Sequence, residues 1–414
     1  MRKKPTAMPF SNKNLTLVYL SKVISVFGSR IFSFGLSFYL LSTTGSSLQF
    51  SISLAINFLP AILFSPLAGV INDKIDKKKM LIFCDILCSC VVFMPILTSM
   101  SVWGIYLTNF LLSFVSVFYI NAVDSFVPSL VDNKGKTSLK QASSVLQMIN
   151  AISNIGAPLL GGLLIGICSM GEIVFINAIS FLLSAFLEFF IHAPCNNNIF
   201  GGAKDNTRNE FMQSIKYLRE ERSVLLLTVV DCVLNFSISL GIVSLLPYVI
   251  VNKWGMSSSV LGIFNAMAPI GIVFGSLLFM RRKEKGLNRL SIPMMIWICV
   301  AIFLSFSLLL YFFKAHISVP FFILFCIVQL TYGFVAVAVN ITIMATKQYI
   351  IPQEIMAKVL GVSQAITMAL VPIALFMSGY LADKLDSYIL PIISTVMVVT
   401  IAISVRKRLQ MVIP

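Results

Sequence analysis

Residues Gly69–Lys79, "GVINDKIDKKK", separate "FSISLAINFLPAILFSPLA" (Phe50–Ala68) from "MLIFCDILCSCVVFMPIL" (Met80–Leu97). One short charged turn between two apolar runs is the pattern of a helical hairpin in a bilayer. A bilayer core of about 30 Å needs about 20 apolar residues per helical span, and each flanking run has close to that length. The pattern recurs along the chain. Of its 414 residues, 58% are hydrophobic and 11% charged, with a mean hydropathy of +0.93. A soluble domain carries roughly 25% charged residues, so water is not the main solvent. The alternation expected of β-barrel strands over about 10 residues is missing. The chain reads as an all-α, polytopic membrane protein.

Twelve spans are expected, at 16–40, 50–72, 80–101, 103–124, 141–167, 172–192, 223–251, 258–280, 290–313, 319–346, 357–381 and 388–405. The polar stretch 193–222 divides them into amino-terminal (1–192) and carboxy-terminal (223–414) bundles of six. It begins as an Asn/Gly-rich loop. From Asn209 on, Phe211, Ile215 and Leu218 at helical spacing predict a helix along the membrane surface. The net charge of +15 comes in clusters between spans, as topogenic charge does, and argues against nucleic acid as a partner. With both termini cytoplasmic, all of the 31 Lys and Arg face the cytoplasm except Lys253, Lys314, Lys384 and the intramembrane Arg30. That asymmetry predicts a multi-pass protein of the cytoplasmic membrane.

The halves show traces of a repeat. "TGSS" after the first span matches "WGMSSS" after the seventh, Gly69 matches Gly275, and Pro158 matches Pro372. Parallel six-helix repeats about the membrane normal are a transporter architecture.

Within the opening turn, Gly69, Asp73, Lys74, Lys77 and Lys78 resemble the signature loop of the major facilitator superfamily, with Asp76 where many members have glycine. The Asp76 form, together with "TGSSL", is similar to the macrolide-efflux, drug:proton antiporter branch. The resemblance implies twelve helices in two pseudo-symmetric bundles, alternating access, and a loop that latches one conformation. "GAPLLGG" in the fifth span, with Gly156, Pro158, Gly161 and Gly162, resembles the antiporter motif of exporters, with Ala157 inserted. The second half lacks the signature acid, because Phe279 stands four residues after Gly275. "GYLADKLD" (Gly379–Asp386) copies the spacing, falls on the opposite side of the membrane and reads as a helix-end signal.

Polar residues inside the spans form stripes at helical spacing. The first span carries Lys22, Ser25, Ser29, Ser33 and Ser37, with Arg30 at the edge; the fourth carries Asn109, Ser113, Ser116 and Asp124. The seventh presents Asp231, Asn235 and Ser239, and the tenth Gln329, Gly333, Ala336 and Asn340. Asn150 and Asn154 on the fifth span and Tyr332 on the tenth adjoin these stripes. Intramembrane stripes face protein or water rather than lipid, so they are candidate walls of a substrate cavity. In the superfamily the first, fourth, seventh and tenth spans line that cavity.

Ionisable groups cost about 2.5–3.5 kcal/mol at mid-span by insertion scales, so Asp231 and Arg30 are candidates for proton coupling or gating. Asp231 is expected to meet Lys22 or Arg30 where the first and seventh spans appose. Asp124, Glu188 and Asp85 are further candidates near span ends, Asp85 as a partner of the signature lysines. The usual arginine of the fourth span is missing.

No P-loop occurs. Cys84, Cys88 and Cys90 lie within a span as packing residues, and two histidines offer little for metal or triad chemistry. No cofactor, metal or enzymatic activity is expected. The expected function is export of amphipathic, macrolide-like or other drugs by a monomeric proton antiporter. A native product such as a siderophore, peptide or lysophospholipid is the alternative cargo.

Overall fold

The computed structural model describes residues 13–130, 167–192, 207–281, 291–313, 317–352 and 355–409, with isolated positions between 142 and 164. The side chains of Gly69, Asp73 and Lys74 lie outside the described residues, as do Asn150, Asn154, Gly156, Pro158 and Gly162. The described residues hold helices and no strand. Inside hydrocarbon no water can satisfy an open backbone, so helices close their own hydrogen bonds.

In chain order the helices are α1 (Lys13–Thr44), α2 (Ser47–Ile56), α3 (Leu59–Lys74), α4 (Lys77–Val91), α5 (Val102–Leu130) and α6 (Met170–Phe189). Then come α7 (Thr207–Glu220), α8 (Arg222–Ile238), α9 (Ser258–Arg281), α10 (Ser291–Phe312), α11 (Val319–Ile350), α12 (Met356–Ala382) and α13 (Ile389–Leu409). Ten spans among the described residues are long and apolar enough to cross a bilayer, and Ile389–Ser404 is a shorter apolar helix.

Several boundaries differ from expectation for definable reasons. The helix before the charged turn runs to Lys74, two residues past the expected end at 72. The next begins at Lys77, because Asp76 caps it: the Asp76 carboxylate accepts from Lys79 N at 3.0 Å. Asp76 thus has a structural task that the more usual glycine has no side chain to perform. An N-cap aspartate contributes about 1 kcal/mol. Asp76→Ala is therefore expected to lower stability by about that amount, read as a modest fall in the melting temperature of purified protein. The loops after the first and seventh spans share one device. Gly45 and Gly255 take φ of 67° and 63°, a left-handed backbone that glycine adopts without strain.

The described chain packs as two units. One is Met1–Ser37 with Ile56–Lys204; the other is Phe38–Ala55 with Asp205–Pro414. The stretch 38–55 therefore belongs by packing to the second unit, although it lies in the amino-terminal half of the sequence.

In the first unit, polar side chains fasten the helices to one another. Ser184 of α6 donates to the Ser21 carbonyl of α1 at 3.0 Å, and Ser89 of α4 donates to the Ala178 carbonyl at 3.2 Å. In the second unit, α9 and α11 cross at glycines. A Cβ on Gly333 would collide with the Ala268 backbone, and one on Gly271 with the Leu330 carbonyl.

The helix expected to lie along the membrane surface, α7, packs on protein through part of its apolar face. Leu218 of α7 is buried with Val224, Ile351, Val359 and Val362, and Ile215 and Tyr217 flank that cluster. Leu218 and Ile215 of that face pack against the end of α11 and the start of α12.

Candidate functional site

Each unit carries an intramembrane ion pair between its first and fourth spans. In the first unit Lys22 of α1 lies 3.5 Å from Asp124 of α5. In the second, Lys347 of α11 lies 2.5 Å from Asp231 of α8. The charges are exchanged between units: base then acid in chain order in one, acid then base in the other. Both pairs lie toward the helix ends next to the basic clusters.

The two pairs differ in their surroundings. The Lys22 side chain is 0% exposed, while that of Asp124 is 56% exposed. Water reaches the acid but not the base, so Asp124 is the counter-charge of an ammonium that has no access to water. In the second unit the exposures are 4% for Lys347 and 18% for Asp231. Lys347 also donates to the Ser363 hydroxyl of α12 at 2.9 Å, and Ser363 meets the Thr228 hydroxyl of α8 at 3.0 Å. A buried ammonium is tolerated only where pairing and hydrogen bonds replace water. Asp231, Ser363 and Thr228 supply both.

Lys347 is the residue that the sequence reading missed, having been counted among the cytoplasmic charges. The signal was available: Lys347 lies seven residues beyond Asn340, two further turns along the Gln329–Gly333–Asn340 stripe. Asp231 has Lys347 as its partner in this structure, and Lys22 has Asp124.

Asp85 and Glu188 are not solvated at helix ends. They are 1% and 0% exposed in the first unit. Asp85 accepts from Ser25 at 2.7 Å, and Glu188 accepts from Tyr119 at 3.0 Å. Asp85, expected beside the signature lysines, meets Ser25, while Lys77 and Lys78 bond main-chain carbonyls. Lys77 donates to the Ser125 carbonyl at 3.2 Å, and Lys78 to the Phe189 carbonyl at 2.8 Å with its ammonium over the Phe189 ring. Both lysines therefore brace the end of the first unit rather than float in a loop.

The cavity candidates divide. Ser29 and Ser37 bond the carbonyls of Ser25 and Ser33, one turn back on their own helix, each at 2.8 Å. Ser113 donates to Asn57 at 3.0 Å, and Asn109 approaches Ser37 at 3.5 Å. Asn235 bonds the Asp231 carbonyl at 2.9 Å. Ser33, Arg30 and Tyr332 are half-buried, Asn340 is exposed, and Gln329 is buried. Gly161 sits against Phe34 and Ile31 of α1, where a small residue permits close helix approach. Gly333, read as a cavity position, serves the α9–α11 crossing instead. Among the described residues no group of His, Cys, Asp and Glu could hold a metal ion.

The model of the Major Facilitator Superfamily matches residues 18–375. The chain belongs to that superfamily. The superfamily comprises transporters, and the chain is a multi-pass membrane protein of that superfamily. It is similar to Macrolide efflux protein A of Streptococcus pyogenes, 22% identical over 265 residues, 63% of this chain and 64% of that protein. The match thus spans somewhat less than two thirds of that relative. In fold it resembles a POT family transporter in complex with 5-aminolevulinic acid (TM-score 0.72, 11% identity, 99% of both chains). It also resembles the nucleoside transporter NupG (TM-score 0.68, 14% identity, 96% of this chain and 98% of that one). At such identities the structures establish the fold alone: an all-α major facilitator fold.

Proposed function

We propose that this transporter exports amphipathic, macrolide-like organic molecules from the cytoplasm in exchange for protons, by alternating access. Two observations support the reading. The similarity to a macrolide efflux protein supports the cargo. The embedded Asp231–Lys347–Ser363 network supports coupling, because it holds an acid whose protonation would release a buried base. Neutralising Asp231 removes the partner that keeps the Lys347 ammonium in place, and the helices α8, α11 and α12 that meet there then rearrange. Proton binding thereby biases a two-state element.

The test is expression in a drug-sensitive host lacking its own pumps. Macrolide resistance should rise, and inverted vesicles should accumulate macrolide when a proton gradient is imposed. Accumulation that survives collapse of the gradient overturns proton coupling. Absence of any macrolide response shifts the cargo to a native amphiphile.

Orientation is part of the same proposal. Single cysteines near Lys78 and Lys216 are expected to react with impermeant reagents only in inverted vesicles, and labelling in intact cells would reverse the topology.

A further inference from the structure

Asp383 ends α12 within "GYLADKLD", and its carboxylate reaches the start of α2. Oδ1 accepts from Ser47 N at 3.0 Å; Oδ2 accepts from Leu48 N at 3.2 Å and from the Ser46 hydroxyl at 3.0 Å. The first amides of a helix have no partner within it, and they carry its positive end. An acid 336 residues away in sequence satisfies two of them. The neighbouring cation does not compete, because Lys384 turns back to the Tyr380 hydroxyl at 2.5 Å, 4.1 Å over that ring.

The spacing of the segment explains how the acid gets so close. One turn before Asp383, Gly379 lies against α2, where a Cβ would come 2.5 Å from the Ser51 Cβ and 2.8 Å from the Leu48 Cα. One turn along α2 from the capped amides, the hydroxyls of Ser51 and Ser244 are in contact. Carboxylate, glycine and serine pair all fasten the stretch 38–55 to the second unit. Yet both ends of that stretch continue into the first unit, at Ser37 and at Ile56. The helix α1 is one continuous rod from Lys13 to Thr44, shared between both.

We propose that Asp383 is a latch: it holds Phe38–Ala55 on the second unit in this conformation and releases it during the transport cycle. The inference rests on the alternating access proposed above. If the units move against each other, a rigid helix shared between them must let go of one, and the attachment at Asp383 is polar, water-accessible and reversible. The bonds that fasten the first unit, such as Ser184 to the Ser21 carbonyl, are buried instead.

The test needs no substrate. In full-length protein freed of native cysteines, Ser51→Cys places a thiol at a buried site (0% exposed). Loss of a helix cap changes an opening equilibrium on the order of tenfold, so Asp383→Asn should raise maleimide labelling of Ser51→Cys by about that factor. Ser46→Ala removes a single donor and should raise it by only about two- to threefold, which covers the case of poor folding by Asp383→Asn. Lys384→Gln should leave labelling unchanged. Unchanged labelling in both Asp383→Asn and Ser46→Ala overturns the latch. The pair Ser51→Cys/Ser244→Cys, oxidised to a disulfide, should stop transport and regain it on reduction. Full transport by the oxidised pair also overturns the latch. Latch-sensitive labelling without any macrolide transport would instead refute the cargo and leave the latch standing.

Discussion

Asp231→Asn is expected to abolish uphill export while substrate binding persists and the protein still folds. The amide keeps the shape of the carboxylate and one acceptor for Lys347, but it does not titrate. Breaking a fully buried ion pair costs about 3–5 kcal/mol. The cost here should be smaller, because the Asp231 side chain is 18% exposed and Lys347 keeps its 2.9 Å bond to Ser363. Downhill substrate exchange in vesicles should therefore continue when proton-driven accumulation has stopped. The double variant Asp231→Lys/Lys347→Asp separates architecture from coupling. It restores a pair of opposite charges, so thermal stability should recover relative to either single variant. Accumulation should not, since the titrating acid then sits on α11 among different neighbours. Asp124→Asn supplies the comparison. Its carboxylate is 56% exposed but Lys22 is 0% exposed, so the variant leaves a buried ammonium without its counter-charge, and a loss of stability above the about 0–1 kcal/mol of a fully exposed pair is expected. Proton-dependent uphill export by Asp231→Asn would move coupling to another acid, with Asp124 and Glu188 as the next to replace.

The spans were legible because the bilayer imposes one rule on every residue in it. Apolar length and basic turns are enough to place helices, and most ends fall within a few residues of the expectation. Where the ends differ, charge is the reason. The sequence places Asp124 at the very end of its span and Lys347 just beyond one, and the helices α5 and α11 run on past them, to Leu130 and Ile350. A single sequence shows that a charge exists but not what stands across from it, and the partner decides whether a charge ends a span or lies inside one. The same limit applies to the carboxylates. Asp85 and Glu188 look solvated by position and are buried because Ser25 and Tyr119 meet them, a fact that requires α1, α4, α5 and α6 together. The acid of "GYLADKLD" was legible as a helix-end signal, but the helix it caps lies more than 300 residues away.

The glycines of the α9–α11 crossing had a signal that periodicity of polar residues obscures. Gly271 and Gly275 stand four apart in "GIVFG", the small-residue spacing of close transmembrane contacts. Gly333 opposes them from α11, where reading it as part of a polar stripe assigned it to the cavity. The atoms that a Cβ at 333 would strike are the carbonyl oxygen, carbonyl carbon and Cα of Ala268. All are backbone in the interior of a helix, so no rotamer change relieves the contact. The two axes would have to separate. That separation also exposes Gly271, whose own approach to the Leu330 carbonyl and the Phe334 amide depends on the same crossing. Overpacking a well-packed interior costs about 1–3 kcal/mol, and Gly333→Ala should fall in that range, visible as a clear loss of melting temperature in detergent. Gly333→Val adds a branched side chain against the same immobile backbone, and it should fail to accumulate as monodisperse protein. Gly361→Ala is the matching control, since nothing lies within 4 Å of a Cβ there, and it should be neutral or slightly stabilising through helix propensity. A Gly333→Val protein that melts at the wild-type temperature would mean that α9 and α11 do not cross at this point, and it would return Gly333 to the cavity wall.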